Sequence, residues 1–210
     1  MHQLTRAKGE RMKRFFQKLQ FNGVQVLRQN ILKGLMILAA TGMAPGNTSS
    51  ALAQEEKPLQ TVEQLDVQRY LGRWYEIARL PQIFQPFCTK VTADYSLLED
   101  GNIRVVNRCR IADPNIGLPI SIRGKAYPVD ASNSRLKVEF FGGFSVGDYW
   151  VLELDPEYQW AMVGDPRRFS LYILSRQPDL DEAVVANLIE LAEKKHGYAN
   201  LDRLIRTRQK

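Results

Sequence analysis

The sequence predicts an all-β protein: an eight-stranded antiparallel up-and-down β-barrel with one C-terminal helix packed outside. Three observations lead to this fold class. Alternating apolar and polar residues recur from residue 72 to residue 176, as in strands with one buried and one wet face. Short turn-rich connections such as EDGN, DASNS and GDPRR separate these segments, and one amphipathic segment follows them. Strands arranged as a meander can close into a barrel, which removes exposed edges.

The first 53 residues predict a cleaved signal peptide. A basic start leads into a short apolar run at 34–44, and small residues precede Gln54. The run is too short for a permanent membrane span, and the alternative is an uncleaved anchor or an amphipathic helix. We expect the segments to be a signal peptide over 1–53, a lead-in over 54–70, the barrel over 71–178, an outer helix over 179–197, and a strand with a basic tail over 198–210.

Charge argues against a nucleic-acid partner. The chain has a formal charge of +6, but residues 1–53 hold eight of its 29 basic residues and one of its 23 acidic residues. The remainder has 21 basic and 22 acidic residues, a net charge of −1. A nucleic-acid-binding domain carries its basic footprint on the folded part. No nucleic-acid partner is therefore expected.

The strands are predicted, in order, over 72–80, 91–98, 102–110, 119–128, 135–141, 148–155, 158–164 and 168–176. The first one, GRWYEIAR, is rich in aromatic and β-branched residues and ends at Pro81. Alternation in the next four strands points inward the side chains of Ala93, Tyr95, Val105, Asn107, Ile122, Gly124, Ala126, Val138 and Phe140. Small residues at 124 and 126 leave room inside, unless larger neighbours fill the gap.

One helix follows the strands. The segment PDLDEAVVANLIELAEKKHG has apolar residues at helical spacing, acids in its first turn and lysines in its last, and Gly197 ends it. Its apolar stripe needs a surface, and the outer wall of the barrel supplies one. A further short strand near Leu204 and Ile205 is expected beside the first strand.

The two cysteines, Cys88 and Cys109, predict one disulfide in an exported chain. The closed loop of about 20 residues would contribute about 3 kcal/mol in the chain-entropy model. With a tight turn at Asp100-Gly101, Cys88 faces Asp113, so the bridge needs a bulge or a folded-back loop. Two free buried thiols are the alternative. No metal site is expected, because two sulfurs without a nearby histidine leave the coordination half empty.

Three motifs resemble those of the lipocalin family, and in particular its bacterial branch, which is similar to apolipoprotein D. GRWYEIARLP resembles the Gly-x-Trp opening of the first strand, with Gly72 and Trp74. GDYWVLELDPEYQWAMV resembles the second motif, with Asp148 and Tyr149 as its acidic–tyrosine pair. LYILSRQP resembles the third, with Arg176 after the last strand. The resemblance covers nearly the whole chain after the signal segment.

The resemblance implies that Arg176 lies across the ring of Trp74 and closes one end of the barrel by a cation–π contact of roughly 1–2 kcal/mol. Counting back in twos from Arg176 points Tyr172 inward, and similar counting points Trp150, Leu152 and Leu154 inward with Glu153 outside. The implied function is binding and carriage of a fatty acid, a lysophospholipid or a similar lipid, without catalysis or a cofactor. The expected lining is Ala93, Tyr95, Val105, Asn107, Ile122, Gly124, Ala126, Val138, Phe140, Trp150, Leu152 and Tyr172.

The mouth of the barrel is expected at loops 81–90, 111–119 and 141–147. The first loop presents Ile83, Phe84 and Phe87, which would contact a membrane or the ligand, or pack within the loop. Familiar bacterial members carry an acylated cysteine after the signal, whereas no cysteine precedes Cys88 here. A soluble periplasmic or secreted protein is therefore expected. The sequence indicates no oligomeric state.

Alternative functions depend on particular residues. GFSVG at 143–147 matches a serine-hydrolase nucleophile elbow, but a strand is predicted to follow it and His196 is the only histidine after residue 53. A lipocalin-fold enzyme acting on a lipid or carotenoid is a better alternative, with a free, inward Cys109 as its candidate nucleophile. The third alternative is an interaction module whose barrel is filled by its own side chains.

Overall fold

A computed structural model of the chain describes residues 58–140, 143 and 145–210. The predicted signal peptide and the start of the lead-in lie outside the described residues. The strands are β1 Gly72–Arg79, β2 Cys88–Leu97, β3 Ile103–Ile111, β4 Pro119–Pro128, β5 Arg135–Phe140, β6 Ser145–Leu154, β7 Trp160–Gly164, β8 Leu171–Ser175 and β9 Ile205–Arg206. The helices are α1 Val67–Tyr70 and α2 Glu182–Lys194, and a 3-10 turn spans Leu201–Arg203.

Strands β1 to β8 form a closed antiparallel barrel, which confirms the predicted fold class. Each strand pairs with the next along the chain, and β1 pairs with both β2 and β8. Helix α2 packs on the outside through its buried Val185, Leu188 and Ala192. Alternate connections of such a barrel share an end. We call the end with the β1–β2, β3–β4, β5–β6 and β7–β8 loops the mouth, and the end where α1 leads into β1 the floor.

The C-terminal segment completes the wall between β1 and β2. Strand β1 pairs with β2 through Gly72–Tyr75, at the floor. Towards the mouth, β9 pairs with Ala78 and Arg79 instead. On its other side, the backbone N–H of Lys90 in β2 donates to the carbonyl of Arg208, at 2.7 Å. A short strand therefore lies beside β1, where the sequence predicts one, and it extends the wall up to the mouth.

Apolar side chains form two clusters, one inside the barrel and one between the barrel and α2. Strands β7 and β8 contribute alternate residues to each, as the two-residue period of a strand requires. Val163 and Leu174 belong to the inner cluster, whereas Met162 and Ile173 belong to the outer cluster. The inner and outer faces of each strand can thus be assigned from the cluster its residues join.

Strand β6 has a different phase from the predicted one. Val151 belongs to the inner cluster, while Trp150 and Leu152 pack in the outer cluster near α2. The register with β7 shifts between Val151 and Glu153, so one extra residue lies in the strand. Leu154 packs against the inner cluster, as predicted. Counting back from it in twos fails across this bulge, so the inward prediction is wrong for Trp150 and Leu152.

Strands β2 and β6 each begin three residues earlier than predicted, so two of the mouth loops are shorter. Ser145 of the GFSVG segment is the first residue of β6. The chain continues from it as a strand through Leu154, whereas a nucleophile elbow turns from a strand into a helix. The segment therefore does not have the local structure that a serine hydrolase needs.

Cys88 and Cys109 form the predicted disulfide, with their Cα atoms 5.5 Å apart. The register of β2 with β3 shifts between Thr89 and Thr92, which supplies the bulge that the bridge needs. Cys88 then faces Ile111, two residues from its partner. Because Cys109 is oxidised, the enzyme alternative loses its thiol nucleophile.

Candidate ligand-binding site

An aromatic–arginine stack closes the floor. The guanidinium carbon of Arg176 lies 3.9 Å from the centre of the Trp74 ring. The indole N–H donates to the carbonyl of Tyr70 at 2.9 Å. The guanidinium donates to the carbonyls of Arg69 at 2.6 Å and Arg73 at 3.0 Å. These bonds tie α1, the start of β1 and the residue after β8 together in the arrangement that the resemblance implies.

Gly72 lets the chain turn into β1 beneath this arginine. Its φ is +93°, a conformation that favours glycine, and a Cβ there would lie 3.3 Å from Nη1 of Arg176.

In the second motif, the carboxylate of Asp148 pairs with Lys137 at 2.7 Å. Its neighbour Tyr149 packs against the inner cluster. The acidic–tyrosine pair therefore places one side chain on each face of β6.

Three tyrosine hydroxyls meet near the floor, and the ring of one of them, Tyr70, lies 4.9 Å from the Trp74 ring. The hydroxyl of Tyr149 lies 2.8 Å from that of Tyr70 and 3.1 Å from that of Tyr95. Burial raises the pKa of Tyr95 to about 12 and raises the pKa of Tyr70 and Tyr149 well above their usual value. All three phenols are therefore neutral. Sequence reasoning pointed Tyr95 inward but missed Tyr70, whose short helix it did not predict.

Most of the expected lining residues lie on the inner face. Those nearer the floor are buried in the inner cluster, namely Tyr95, Val105, Ala126 and Val138. Those in the middle and nearer the mouth are half-buried, namely Ala93, Asn107, Ile122, Phe140 and Tyr172. The inside of the barrel is thus tightly packed at the floor and partly accessible towards the mouth.

The space left by Gly124 is filled by a neighbouring ring. A Cβ at this position would lie 2.7 Å from Cδ1 of Phe140 and 2.5 Å from the carbonyl oxygen of Glu139. Gly124 therefore allows close packing between β4 and β5. The larger neighbour fills the gap, which is the alternative that the sequence left open.

A buried ion pair that sequence reasoning missed lies on the inner face of β1. Nη1 of Arg79 lies 2.7 Å from Oε1 of Glu76, and both side chains are almost fully buried. The register with β8 shifts between Glu76 and Ala78. As a result, the two charged residues face Leu174 and Tyr172, which both belong to the inner side of β8.

Exposed apolar side chains are concentrated at the mouth. Ile83, Phe84 and Phe87 of the β1–β2 loop are 83%, 58% and 77% exposed. Ile116 and Leu118 of the β3–β4 loop and Phe169 of the β7–β8 loop are exposed as well. A groove of about 620 Å³ runs between the β1–β2 loop and the C-terminal segment, beside this rim. The predicted lip therefore presents its apolar side chains to solvent.

Among the described residues, no group of three or more His, Cys, Asp or Glu side chains is placed to hold a metal ion, and no helix is long and apolar enough to cross a membrane. His196 lies just after α2, where its Nε2 is 2.6 Å from Oε1 of Glu153. His196 therefore helps to hold α2 against the outer wall of the barrel.

Comparison with known proteins agrees with this geometry. Residues 65–209 match the Lipocalin-like domain family. Temperature-induced lipocalin-1 of Arabidopsis thaliana is 40% identical over 164 residues, which cover 74% of this chain and 85% of that protein. Outer membrane lipoprotein Blc of Escherichia coli (strain K12) is 42% identical over 135 residues, covering 64% and 75% of the two chains. Apolipoprotein D of Mus musculus is 34% identical over 137 residues, covering 61% and 70%.

Solved structures support the fold independently. Insecticyanin from the tobacco hornworm Manduca sexta superposes with a TM-score of 0.56 at 19% sequence identity, over 71% of this chain and 83% of that one. Family match, sequence relatives and barrel geometry thus agree. The chain belongs to the lipocalin family, in the branch that includes outer membrane lipoprotein Blc and apolipoprotein D.

Proposed function

We propose that the protein binds and carries or stores a small hydrophobic ligand, such as a fatty acid, a lysophospholipid or a similar lipid, inside the barrel. The inner face carries this proposal, because its apolar wall is packed at the floor and only half-buried towards the mouth. Membership of the lipocalin family supports it. Each Å² of apolar surface that leaves water contributes about 25 cal/mol. No catalytic step is needed.

The first experiment is native mass spectrometry of protein expressed from the full chain, followed by organic extraction of whatever co-purifies. A lipid bound in stoichiometric amount would support the carrier function and identify its head group and chain length. Protein that is empty, and that also fails to bind a panel of fatty acids and lysophospholipids, would contradict it. The interaction-module alternative would then be favoured.

A large side chain placed inside the barrel should weaken lipid binding. Ile122 points inward and is half-buried, while its neighbour Ser121 points outward and is exposed. We expect Ile122→Trp to weaken lipid binding at least about tenfold, because the indole occupies the ligand's volume. Ser121→Trp adds the same ring outside and should leave affinity unchanged. Circular dichroism checks that both variants fold; equal affinities would place the ligand elsewhere.

The mouth is the part that we propose contacts a membrane while ligand is exchanged. Its rim of exposed Ile83, Phe84 and Phe87 supports this, since such apolar patches mark interaction surfaces. In vesicle co-sedimentation, Phe84→Ser combined with Phe87→Ser should reduce the bound fraction. Leu97→Ser is the matched control, because Leu97 is also exposed but ends β2 at the floor. No difference between the variants would argue for ordinary loop packing.

The cellular location proposed is the cell envelope, in the periplasm or as a secreted protein. The basic and apolar N-terminal segment supports export. Relatedness to an outer membrane lipoprotein is compatible with the same compartment. Fractionation of cells expressing the full chain, with mass determination of the product, tests both export and cleavage before Gln54. A product that keeps residues 1–53 in the cytoplasm would overturn this proposal.

A further inference from the structure

The charges on the inner face are few and self-balanced. Across β1 to β8, within the described residues, the pairing and cluster assignments place two charged side chains inward, Glu76 and Arg79. They bind each other at 2.7 Å. Arg176 lies beyond β8, with its guanidinium stacked on the Trp74 ring at the floor. The wall that a ligand would meet is therefore neutral overall.

The carboxylate of Glu76 is held by several donors. Besides Arg79, its Oε1 accepts from the hydroxyl of Thr207 at 2.5 Å, and its Oε2 accepts from the side-chain amide of Gln85 at 2.7 Å. Nη2 of Arg79 donates to the carbonyl of Gln85 at 3.0 Å. The β1–β2 loop and the C-terminal segment thus fix the pair in place. The guanidinium of Arg79 therefore already has a carboxylate counter-charge before any ligand enters.

Several polar groups on the inner face remain unpartnered. Tyr172 is the cross-strand partner of Arg79, and within the described residues its hydroxyl forms no hydrogen bond. Burial, followed by the nearby charge of Glu76, raises the pKa of Tyr172, so it stays an O–H donor. Across the same part of the chain, Nε of Arg79 and Oδ1 of Asn107 are buried without partners. Hydrogen-bond donors and one acceptor therefore remain available to a ligand, whereas the Glu76–Arg79 pair carries no net charge.

A ligand carboxylate would be the second anion next to one cation. A buried charge is costly unless a counter-charge accompanies it. An alcohol, ester or ketone oxygen needs hydrogen bonds alone, and those donors are present. We propose that the inner site prefers amphiphiles whose polar group is uncharged over carboxylates of the same chain length, with Glu76 as the residue that disfavours the anion and Tyr172 as the hydrogen-bond donor. Of the ligands named under the proposed function, an ionised fatty acid then binds less tightly than its neutral ester or alcohol.

This inference rests on the proposed function, and it is tested by matched ligands on the intact chain. Dodecanol, methyl dodecanoate and dodecanoate compete with the neutral fluorescent probe N-phenylnaphthylamine near pH 8, where an ordinary carboxyl is ionised. We expect the alcohol and the ester to bind at least about tenfold more tightly than the carboxylate. This comparison uses the wild-type protein, so it does not depend on any variant folding.

Glu76→Gln tests the cause. The amide keeps the shape but removes the negative charge, which frees the charge of Arg79 for a ligand. We expect this variant to bind dodecanoate at least about tenfold more tightly than wild type, with dodecanol little changed. Glu139→Gln removes a carboxylate from the outer face of β5 and should leave the preference unchanged. Tyr172→Phe should weaken dodecanol binding but not probe binding.

The outcomes separate the two proposals. Dodecanoate binding as tightly as dodecanol in wild type overturns the charge-exclusion inference and leaves the carrier function standing. A folded Glu76→Gln variant without improved carboxylate binding shows that Glu76 is not the excluding residue, and overturns the inference as well. Failure of the probe and all three ligands to bind overturns the proposed function itself.

Discussion

At the scale of single residues, Arg176 connects several parts of the floor. Its guanidinium covers the Trp74 ring at 3.9 Å and donates to three backbone carbonyls, those of Arg69, Arg73 and Tyr158. Those carbonyls belong to α1, to the start of β1 and to the connection between β6 and β7. A planar group with several donors can reach them all, whereas the ammonium of a lysine presents its donors from one point.

Arg176→Leu should lower the free energy of unfolding by about 2–3 kcal/mol, from the lost cation–π contact and the unpaired carbonyls. Arg176→Lys should recover less than half of that loss. Urea unfolding followed by tryptophan fluorescence measures both. Arg123→Leu, which removes an exposed arginine from the outer face of β4, should change the free energy by less than about 0.5 kcal/mol. An equal effect of the two leucine variants would contradict a special role for Arg176.

Residue roles could be predicted from sequence where a motif carried them, as with Trp74 and Arg176. The pair Glu76 and Arg79 was missed, although Glu76 lies two residues after Trp74 and so shares its face by simple alternation. Arg79 could not be placed by counting, because a register shift precedes it. Charged residues at the end of an apolar strand are usually solvated, and only the tertiary structure shows that these are buried.

At the scale of elements, the C-terminal end of α2 is anchored to the barrel by one carboxylate. Oε1 of Glu153 lies 2.6 Å from Nε2 of His196 and 2.5 Å from Nζ of Lys195. Burial raises the pKa of Glu153, but the hydrogen bonds from His196 and Lys195 outweigh burial, so the pKa is lowered. The contact therefore depends on the ionised carboxylate.

Acid should weaken this anchor. Because the pKa of Glu153 is lower in the folded than in the unfolded protein, its stabilisation is present above the ordinary value of 4.5 and is lost as the pH falls through the folded value. Glu153→Gln should cost about 1–3 kcal/mol at neutral pH. It should also flatten the fall in stability from about pH 5 to pH 3, in urea titrations at each pH. Glu190→Gln, at an exposed pair on the same helix, should change neither measurably.

Elements were predictable where local patterns determine them. Turn-rich connections and alternation located all eight barrel strands. The acidic residues in the first turn of α2 and the lysines in its last turn indicated where this helix begins and ends. The phase of β6 was not predictable, because its bulge adds a residue without changing the residue types around it. Helix α1 was missed because a four-residue helix carries no periodic signal.

For the whole molecule, the disulfide links β2 to β3 near the mouth. Replacing both Cys88 and Cys109 by serine should lower the free energy of unfolding by about 3 kcal/mol, because the unfolded chain gains freedom. Chemical denaturation with and without reductant measures this. Reductant should bring the wild type down to the level of the double variant and leave that variant unaffected. A wild type that keeps its full stability in reductant, with its thiols shown to be free, would contradict this contribution of the disulfide to the free energy of unfolding.

The closure of the barrel also bears on how the protein is made. Gln209 donates from its side-chain amide to the carbonyls of Glu76 at 2.7 Å and Val91 at 2.9 Å, which lie 133 and 118 residues earlier in the chain. During synthesis, the mouth half of β1 can pair with β8, but its other edge has no partner until residues near 206 have emerged. An unpaired strand edge invites association with other chains. The nascent protein therefore depends on being kept apart from its neighbours until residues as late as 206 are available to fold.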